Sequence, residues 1–287
     1  RANYFQDSIK LDGITDELLQ YFTAHTGKEG AAAVDLHTHS YLNAAPEKGR
    51  FPLIIYMAAF NGMSYENVLL FEYLASHGYI VAAVSSIGRY PGNMTTKYPD
   101  LLEQVNDGQV VVRYLQRQHN VDTSRIGVMG YSYGGLAASV LAMQNYQVKA
   151  LLSLDGSEKH YYGGEREEDE DFDTLRKQPF FPAITSSLPY AYLENDHKQE
   201  NGQVDSIYQW SSAVGGKHYM RLLGADHEDF SCLASLATPG TAAAQRYEWV
   251  KQLSLHYFDQ YLGGSKAAFD SSIAAVVKAG AGATMPA

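Results

Sequence analysis

One local pattern constrains this chain more than any other. Residues 130–135 read Gly-Tyr-Ser-Tyr-Gly-Gly, after the run Ser124-Arg125-Ile126-Gly127-Val128-Met129 and before the small and apolar residues Leu136 to Met143. A short strand, a serine with a glycine two residues to either side, and a helix must be joined by a turn so sharp that the serine takes strained backbone angles. Glycine is required at 130 and 134 because a Cβ there would collide with the neighbouring strand or helix. The turn lifts the Ser132 hydroxyl above a sheet and points a helix N-terminus at it, where the dipole favours developing negative charge. Ser132 is therefore the candidate nucleophile, against the bland reading of a Gly-rich structural turn.

The elements around that turn alternate. Phe51 to Phe60 is an almost unbroken apolar run, followed by a helical segment over Tyr65–His77 and a second apolar run over Tyr79–Ser85. A helix is expected from Asp100 to Gln118, then the strand into the turn, then strands at Val148–Leu154, Tyr190–Leu193 and Tyr219–Leu223, and a long amphipathic helix over Ala242–Leu262. Strands that are apolar throughout, rather than on alternate residues, imply an α/β fold with a mostly parallel central sheet covered by helices on both faces. An N-terminal helix is expected over 5–24, with Asp12 and Thr15 as caps, inside an extension of residues 1–45. The whole chain, 1–287, reads as one domain, with an Ala/Gly-rich flexible tail over 278–287. Residues 165–173 carry seven acids in nine positions, within a stretch, 156–187, that has no strand pattern. That stretch is either a solvated surface loop or an acidic lid over the end of the sheet that holds Ser132. Its neighbours Tyr161, Tyr162, Phe180 and Phe181 would line a pocket or fill the loop's own core.

A serine hydroxyl needs a base, and the base needs an orienting acid. Among the ten histidines, His227 alone lies just after a late strand and before the final helix, in Gly224-Ala225-Asp226-His227-Glu228-Asp229-Phe230. Two aspartates compete for the acid. Asp155 ends the strand that follows the serine unit, and Asp196 follows the next strand; both strand tips can reach the same imidazole. An aspartate at a buried strand tip needs a partner, which favours Asp155, with Asp196 as the alternative. An oxyanion hole takes two backbone N–H groups. Tyr133, next after the serine, supplies one, and the loop Ala58-Ala59-Phe60-Asn61-Gly62 the other. Phe60 is the candidate donor, with Asn61-Gly62 making the tight turn.

Together these residues resemble the α/β-hydrolase superfamily, and within it the platelet-activating-factor acetylhydrolase-like and dienelactone-hydrolase-like serine esterases. The resemblance runs through FPLIIYMAAFNGMSYENVLLFEYLASHGYIVAAV (51–84), VDTSRIGVMGYSYGG (121–135), VKALLSLDG (148–156), GADHEDF (224–230) and YFDQYL (257–262). It implies an α/β-hydrolase fold, an oxyanion donor at Phe60 and acyl transfer through Ser132. It also separates the two acids: acetylhydrolase-like enzymes place theirs where Asp155 stands. Bacterial cutinases and polyester hydrolases, which share the LASHG segment, place theirs where Asp196 stands. Dienelactone hydrolases proper use a cysteine nucleophile, which Ser132 replaces here.

The expected activity is hydrolysis of a neutral, short-to-medium acyl ester, with a small-molecule substrate, no cofactor and no metal. The alternatives are a cutinase-like polyester hydrolase, a prolyl-oligopeptidase-like serine peptidase, and a hydrolase fold that has lost its chemistry and only binds. The segment Asp35-Leu36-His37-Thr38-His39 has the alternating histidines of a zinc site, yet no further ligand motif follows it. A net charge of −10 argues against nucleic acid as a partner, and no stretch approaches the roughly 20 apolar residues of a membrane span. The single cysteine, Cys232, excludes an intrachain disulfide. Compartment and oligomeric state stay open. A start at Arg1 without a signal-like segment fits a soluble chain, including an exported one whose signal has been removed.

Overall fold

The computed structural model describes residues 39–41, 43–88, 93–159, 173–181, 188–196, 217–232, 235 and 240–284. The expected N-terminal helix, His37, Tyr161, Tyr162 and all but Asp173 of the acid run lie outside them. The elements in chain order are β1 (Phe51–Met57), α1 (Val68–Ser76), β2 (Ile80–Val84), α2 (Tyr98–Leu115), β3 (Val121–Tyr131) and α3 (Tyr133–Gln144). There follow β4 (Val148–Leu154), β5 (Tyr190–Glu194), β6 (Lys217–Leu222), α4 (Ala242–Phe258), α5 (Ala268–Lys278) and β7 (Gly282–Thr284). The strands form one sheet in the order β2-β1-β3-β4-β5-β6-β7, parallel except for β7, which runs antiparallel to β6.

β1, β4 and β5, inside the sheet, are buried on both faces for nearly their whole length, which is why their sequences read as near-continuous apolar runs, while β2 at the sheet edge is mostly half-buried. Leu53, Ile55 and Met57 of β1 point into a core shared with α2 and α3, through Val105, Leu136 and Leu141. Ile54 and Tyr56 point the other way, into a core shared with α1, α4 and α5, through Leu74, Leu253 and Phe269. Helix starts follow local chemistry. Pro99 and Asp100 sit in the first turn of α2, where a missing N–H costs nothing and a carboxylate meets the helix dipole. The Thr241 side chain accepts from the Ala244 N–H at the start of α4. The expected helix to Leu262 continues past Phe258 as a π-helical turn, Asp259–Gly263, closed by Gly264 at φ 83°.

Two elements depart from the sequence reading. The tail expected to be flexible from 278 onward includes β7, whose residues 282–284 pair with Leu222, Arg221 and Met220. Helix α5, which leads into it, was not anticipated either; it packs Phe269, Ile273 and Val276 against the core beneath the sheet. A three-residue Gly-Ala-Thr strand has little propensity of its own, and its pairing with β6 supplies the structure. Phe180 and Phe181 are partly buried and pack against the core on the α2–α3 face. Among the described residues, no helix is long and apolar enough to cross a membrane.

Candidate active site

The parallel register sets the C-terminal ends of four strands side by side. Met57 pairs with Gly130, Gly130 with Ser153, and Leu154 with Leu193. The residues that follow β1, β3, β4 and β5 therefore share one edge of the sheet, where ligands of open α/β sheets bind. Ser132 lies there between β3 and α3 at φ 55°, ψ −125°, a conformation that costs a non-glycine residue about 1–3 kcal/mol. The surroundings hold it. Its N–H donates to the Leu154 carbonyl (3.1 Å), and its own carbonyl accepts from the Gly135 and Ser157 N–H groups (2.9 Å each). A Cβ at Gly130 would stand 2.0 Å from the Gly134 carbonyl oxygen, and one at Gly134 would stand 2.0 Å from the Met57 carbonyl oxygen. Both glycines are thus fixed by backbone contact, one against the helix start and one against β1.

Asp155, at the tip of β4, is fully buried and has a positive φ of 50°. Its Oδ1 accepts from the Asn195 backbone N–H (3.0 Å), and its Oδ2 from the Asn195 side-chain amide (2.8 Å). The same Oδ2 lies 2.5 Å from His227 Nδ1, and His227 Nε2 lies 2.9 Å from Ser132 Oγ. Serine, histidine and Asp155 form a continuous hydrogen-bonded chain. Asp196 is turned elsewhere: its Oδ2 accepts from the Gly224 N–H (2.8 Å) and its own N–H donates to the Ala225 carbonyl (3.0 Å). It braces the loop that leads to His227 and does not meet the imidazole.

The loop that carries His227 is a short 3-10 turn, His227–Phe230, with Asp226 and Asp229 capping each other's N–H groups. Asp229 is buried, accepts from Asp226 N (3.0 Å) and pairs with Arg246 of α4 at 2.5 Å. Tyr131, the residue before the serine, donates its hydroxyl to the His227 carbonyl (3.0 Å) and stacks its ring on the imidazole at 4.9 Å. The histidine is thus held by β3 from one side and α4 from the other.

Phe60 and Tyr133, the expected oxyanion donors, stand next to each other with their rings edge to face at 5.8 Å. Tyr133 opens α3. In the loop after β1, the Ala58 N–H is committed to the Val84 carbonyl and the Ala59 N–H to Glu66 Oε1, so Phe60 carries the next amide. The pair Asn61-Gly62 makes the tight turn, as expected, with the Gly62 N–H donating to the Ala59 carbonyl (2.7 Å). Asn61 takes the left-handed conformation (φ 52°), a region asparagine tolerates. Gly62 is required for space, since a Cβ would sit 2.3 Å from Glu66 Oε2. Burial pushes the Glu66 carboxyl up to about 7, against the opposing pull of its hydrogen bonds from Tyr56 and Ala59.

Sequence reasoning gave no role to Tyr131, Asn195, Asp229 and Arg246, which contact Asp155, His227 or the turn that carries it, nor to Glu66, which bonds the loop after β1. The pair Glu66-Asn67 had a signal: two polar residues at the head of an apolar helical run. His39 of the alternating-histidine segment is described, and among the described residues no group of three or more His, Cys, Asp or Glu could hold a metal ion.

Comparison with known proteins follows the same lines. A family model described as X-Pro dipeptidyl-peptidase (S15 family) matches residues 22–168, a span that includes Phe60, Ser132 and Asp155 and stops short of His227. Cutinase est1 of Thermobifida alba is 29% identical over 164 residues, covering 52% of this chain and 53% of that protein. Cutinase 2 of Thermobifida cellulosilytica is 26% identical over 169 residues, 52% of this chain and 60% of that one. The chain spans about half the length of the curated relatives it matches. A solved ferulic acid esterase from Streptomyces cinnamoneus superposes with a TM-score of 0.63 at 20% identity, covering 88% of this chain and 79% of its own. That likeness shows the α/β-hydrolase fold. With the model taking in half of the sequence, from ahead of β1 to beyond Asp155, the chain belongs to the X-Pro dipeptidyl-peptidase (S15) family of serine hydrolases.

Proposed function

We propose that the chain is a serine carboxylic-ester hydrolase acting through an acyl-enzyme on neutral, short-to-medium acyl esters. The observation that carries this is the chain of contacts from Ser132 Oγ through His227 to buried Asp155, at 2.9 and 2.5 Å. His227 Nε2 takes the Ser132 proton as Oγ attacks the ester carbonyl. The tetrahedral oxyanion is received by the Phe60 and Tyr133 amides, an arrangement worth about 10²–10³-fold in rate per donor. Collapse expels the alcohol, which takes the proton back from the imidazolium. Water, deprotonated by the same histidine, then releases the acid. Asp155 stays ionised throughout and holds the imidazole with Nε2 toward the serine.

Ester rather than peptide chemistry is favoured by the relatives named as cutinases, although the family model is named for a peptidase. Within the esterases, an acid at the end of β4 supports the acetylhydrolase-like arrangement, since cutinase-like enzymes are expected to use the position of Asp196. The chain's net charge of −10 disfavours anionic substrates through its overall negative field. Hydrolysis of p-nitrophenyl acetate and butyrate tests the reading, beside Ala-Pro-p-nitroanilide and an aliphatic polyester film. We expect ester turnover that disappears in Ser132→Ala, and stoichiometric labelling of Ser132 by a p-nitrophenyl phosphonate. Cleavage of the anilide without ester turnover would move the assignment to a peptidase, and an unlabelled Ser132 would leave a binding protein.

A further inference from the structure

Glu66 and Asn67 lie outside the Ser132–His227–Asp155 relay, yet they bond both to the loop after β1 and to the turn that carries His227. Resting on the serine-hydrolase reading above, we propose that Glu66 is a positioning residue for the oxyanion loop, and that with Asn67 it ties this loop to the turn carrying His227. The connection can be followed atom by atom. The Ala59 N–H, one residue before the Phe60 donor, gives its hydrogen bond to Glu66 Oε1 (2.8 Å), and the Tyr56 hydroxyl donates to the same oxygen (2.7 Å). That hydroxyl accepts from the Asn67 side-chain amide (3.0 Å), which also donates to the Phe230 carbonyl (3.0 Å), the last residue of the His227 turn. Asn67 Oδ1 accepts from the Tyr247 hydroxyl of α4 (2.7 Å). A second strand of the bridge runs through the backbone: the Glu66 carbonyl accepts from Cys232 N (3.3 Å) and Sγ (3.1 Å).

Three observations make this a fitted device rather than incidental packing. Tyr56 and Asn67 are fully buried and Glu66 is 5% exposed, so a missing partner could not be replaced by bulk water. Asn67 stands at the N-cap of α1, where its side chain would ordinarily accept from the helix's own N–H groups. It makes no such bond and is committed to the bridge. Gly62 leaves the room that the Glu66 carboxylate fills, so loop and carboxylate are shaped to each other. A donor loop held only by its own turn would let the Phe60 amide drift; fixing the amide before it narrows that drift.

The test uses Glu66→Ala and Glu66→Gln in the full chain, read by kcat and KM on p-nitrophenyl butyrate and by amide exchange of peptides covering 57–63 and 224–232. Loss of a well-placed oxyanion donor costs about 10²–10³-fold, and a loosened one less, so Glu66→Ala should lower kcat about tenfold or more with KM within about twofold. Exchange should quicken in both peptides. Glu66→Gln keeps an oxygen for the Ala59 N–H and should recover most of kcat. Tyr56→Phe keeps the ring in the core and removes the linking hydroxyl; it should reproduce the exchange change even if the alanine variant does not fold. Unchanged exchange at 57–63, or a glutamine variant as impaired as alanine, overturns the proposal. Ester turnover that survives Ser132→Ala overturns instead the hydrolase reading beneath it, and the exchange measurement still decides whether the bridge exists.

Discussion

At the scale of single residues, the two aspartates are the sharpest case. In the sequence, Asp155 and Asp196 were alternatives because parallel strands of equal register bring both tips to the same edge. What separates them is a difference of direction that no motif carries. Asn195 turns its backbone N–H and side-chain amide onto Asp155, and Asp196, one residue on, turns to the Gly224 N–H. Asp155→Asn presents an amide to His227 Nδ1 and should lower kcat by up to about 10⁴-fold, the loss seen when a triad acid becomes an amide, with little effect on KM. Asp196→Asn should leave kcat within about threefold and lower the melting temperature, since a neutral hydrogen bond to Gly224 replaces a charge-assisted one. Paired kinetics and melting curves check both; the opposite ranking would reassign the acid. Ser132 and His227 were legible for a simple reason. A nucleophile needs a special backbone, which leaves glycines in the sequence, and a base in chain order leaves one histidine. Glu66 was not legible, because its partners are a main-chain amide and a tyrosine hydroxyl whose position depends on the folded sheet.

At the scale of elements, the sheet and its helices follow from hydrophobic runs long enough to be read alone: β4 spans Val148–Leu154 as expected, and β1, β2 and β5 differ only at their ends. The elements that escaped are those made by contact. β7 exists because β6 offers an unpaired edge, and the His227–Phe230 turn exists because two acids cap each other and one of them meets Arg246 from a helix 17 residues away in sequence. This turn is the element most exposed to loss of a single group. Asp229→Ala would strip the partner from the Asp226 N–H and from Arg246 together. Asp226 is exposed and Arg246 half-buried, so water takes over in part and the cost is that of the lost hydrogen bonds, about 0.5–1.5 kcal/mol each. The expected outcome is a folded chain, with a lower melting temperature and kcat reduced more than stability alone explains, because His227 loses its fixed approach to Ser132. A variant that melts early yet retains full kcat would mean that Tyr131, through its stacking and its bond to the His227 carbonyl, suffices to hold the ring.

For the whole molecule, the question is whether two cores separated by a sheet behave as one. Adjacent residues of every parallel strand feed opposite cores, Ile54 and Tyr56 to one and Ile55 and Met57 to the other. Neither core can dissolve without freeing the strands that line the second, and the site stands on the edge that both hold in place. The structure therefore predicts a single cooperative transition for the described sheet and its helices. Trp249 of α4 packs against one core, and Leu141 of α3 is fully buried in the other. Leu141→Ala removes about three methylene equivalents from a packed site and should cost about 2–5 kcal/mol, the usual range for a buried leucine. In a Trp210→Phe background, where Trp249 is the remaining tryptophan, urea unfolding followed by fluorescence reports on the core opposite the substitution, while far-UV circular dichroism reports on the whole. If the cores are one unit, the fluorescence midpoint falls as far as the dichroism midpoint and the two curves coincide. If the fluorescence midpoint stays where it is in the parent while dichroism shifts, the faces unfold separately. Ester turnover, which needs the loop after β1 and the turn before α4 at once, should then be lost with the earlier of the two transitions, whichever core it belongs to.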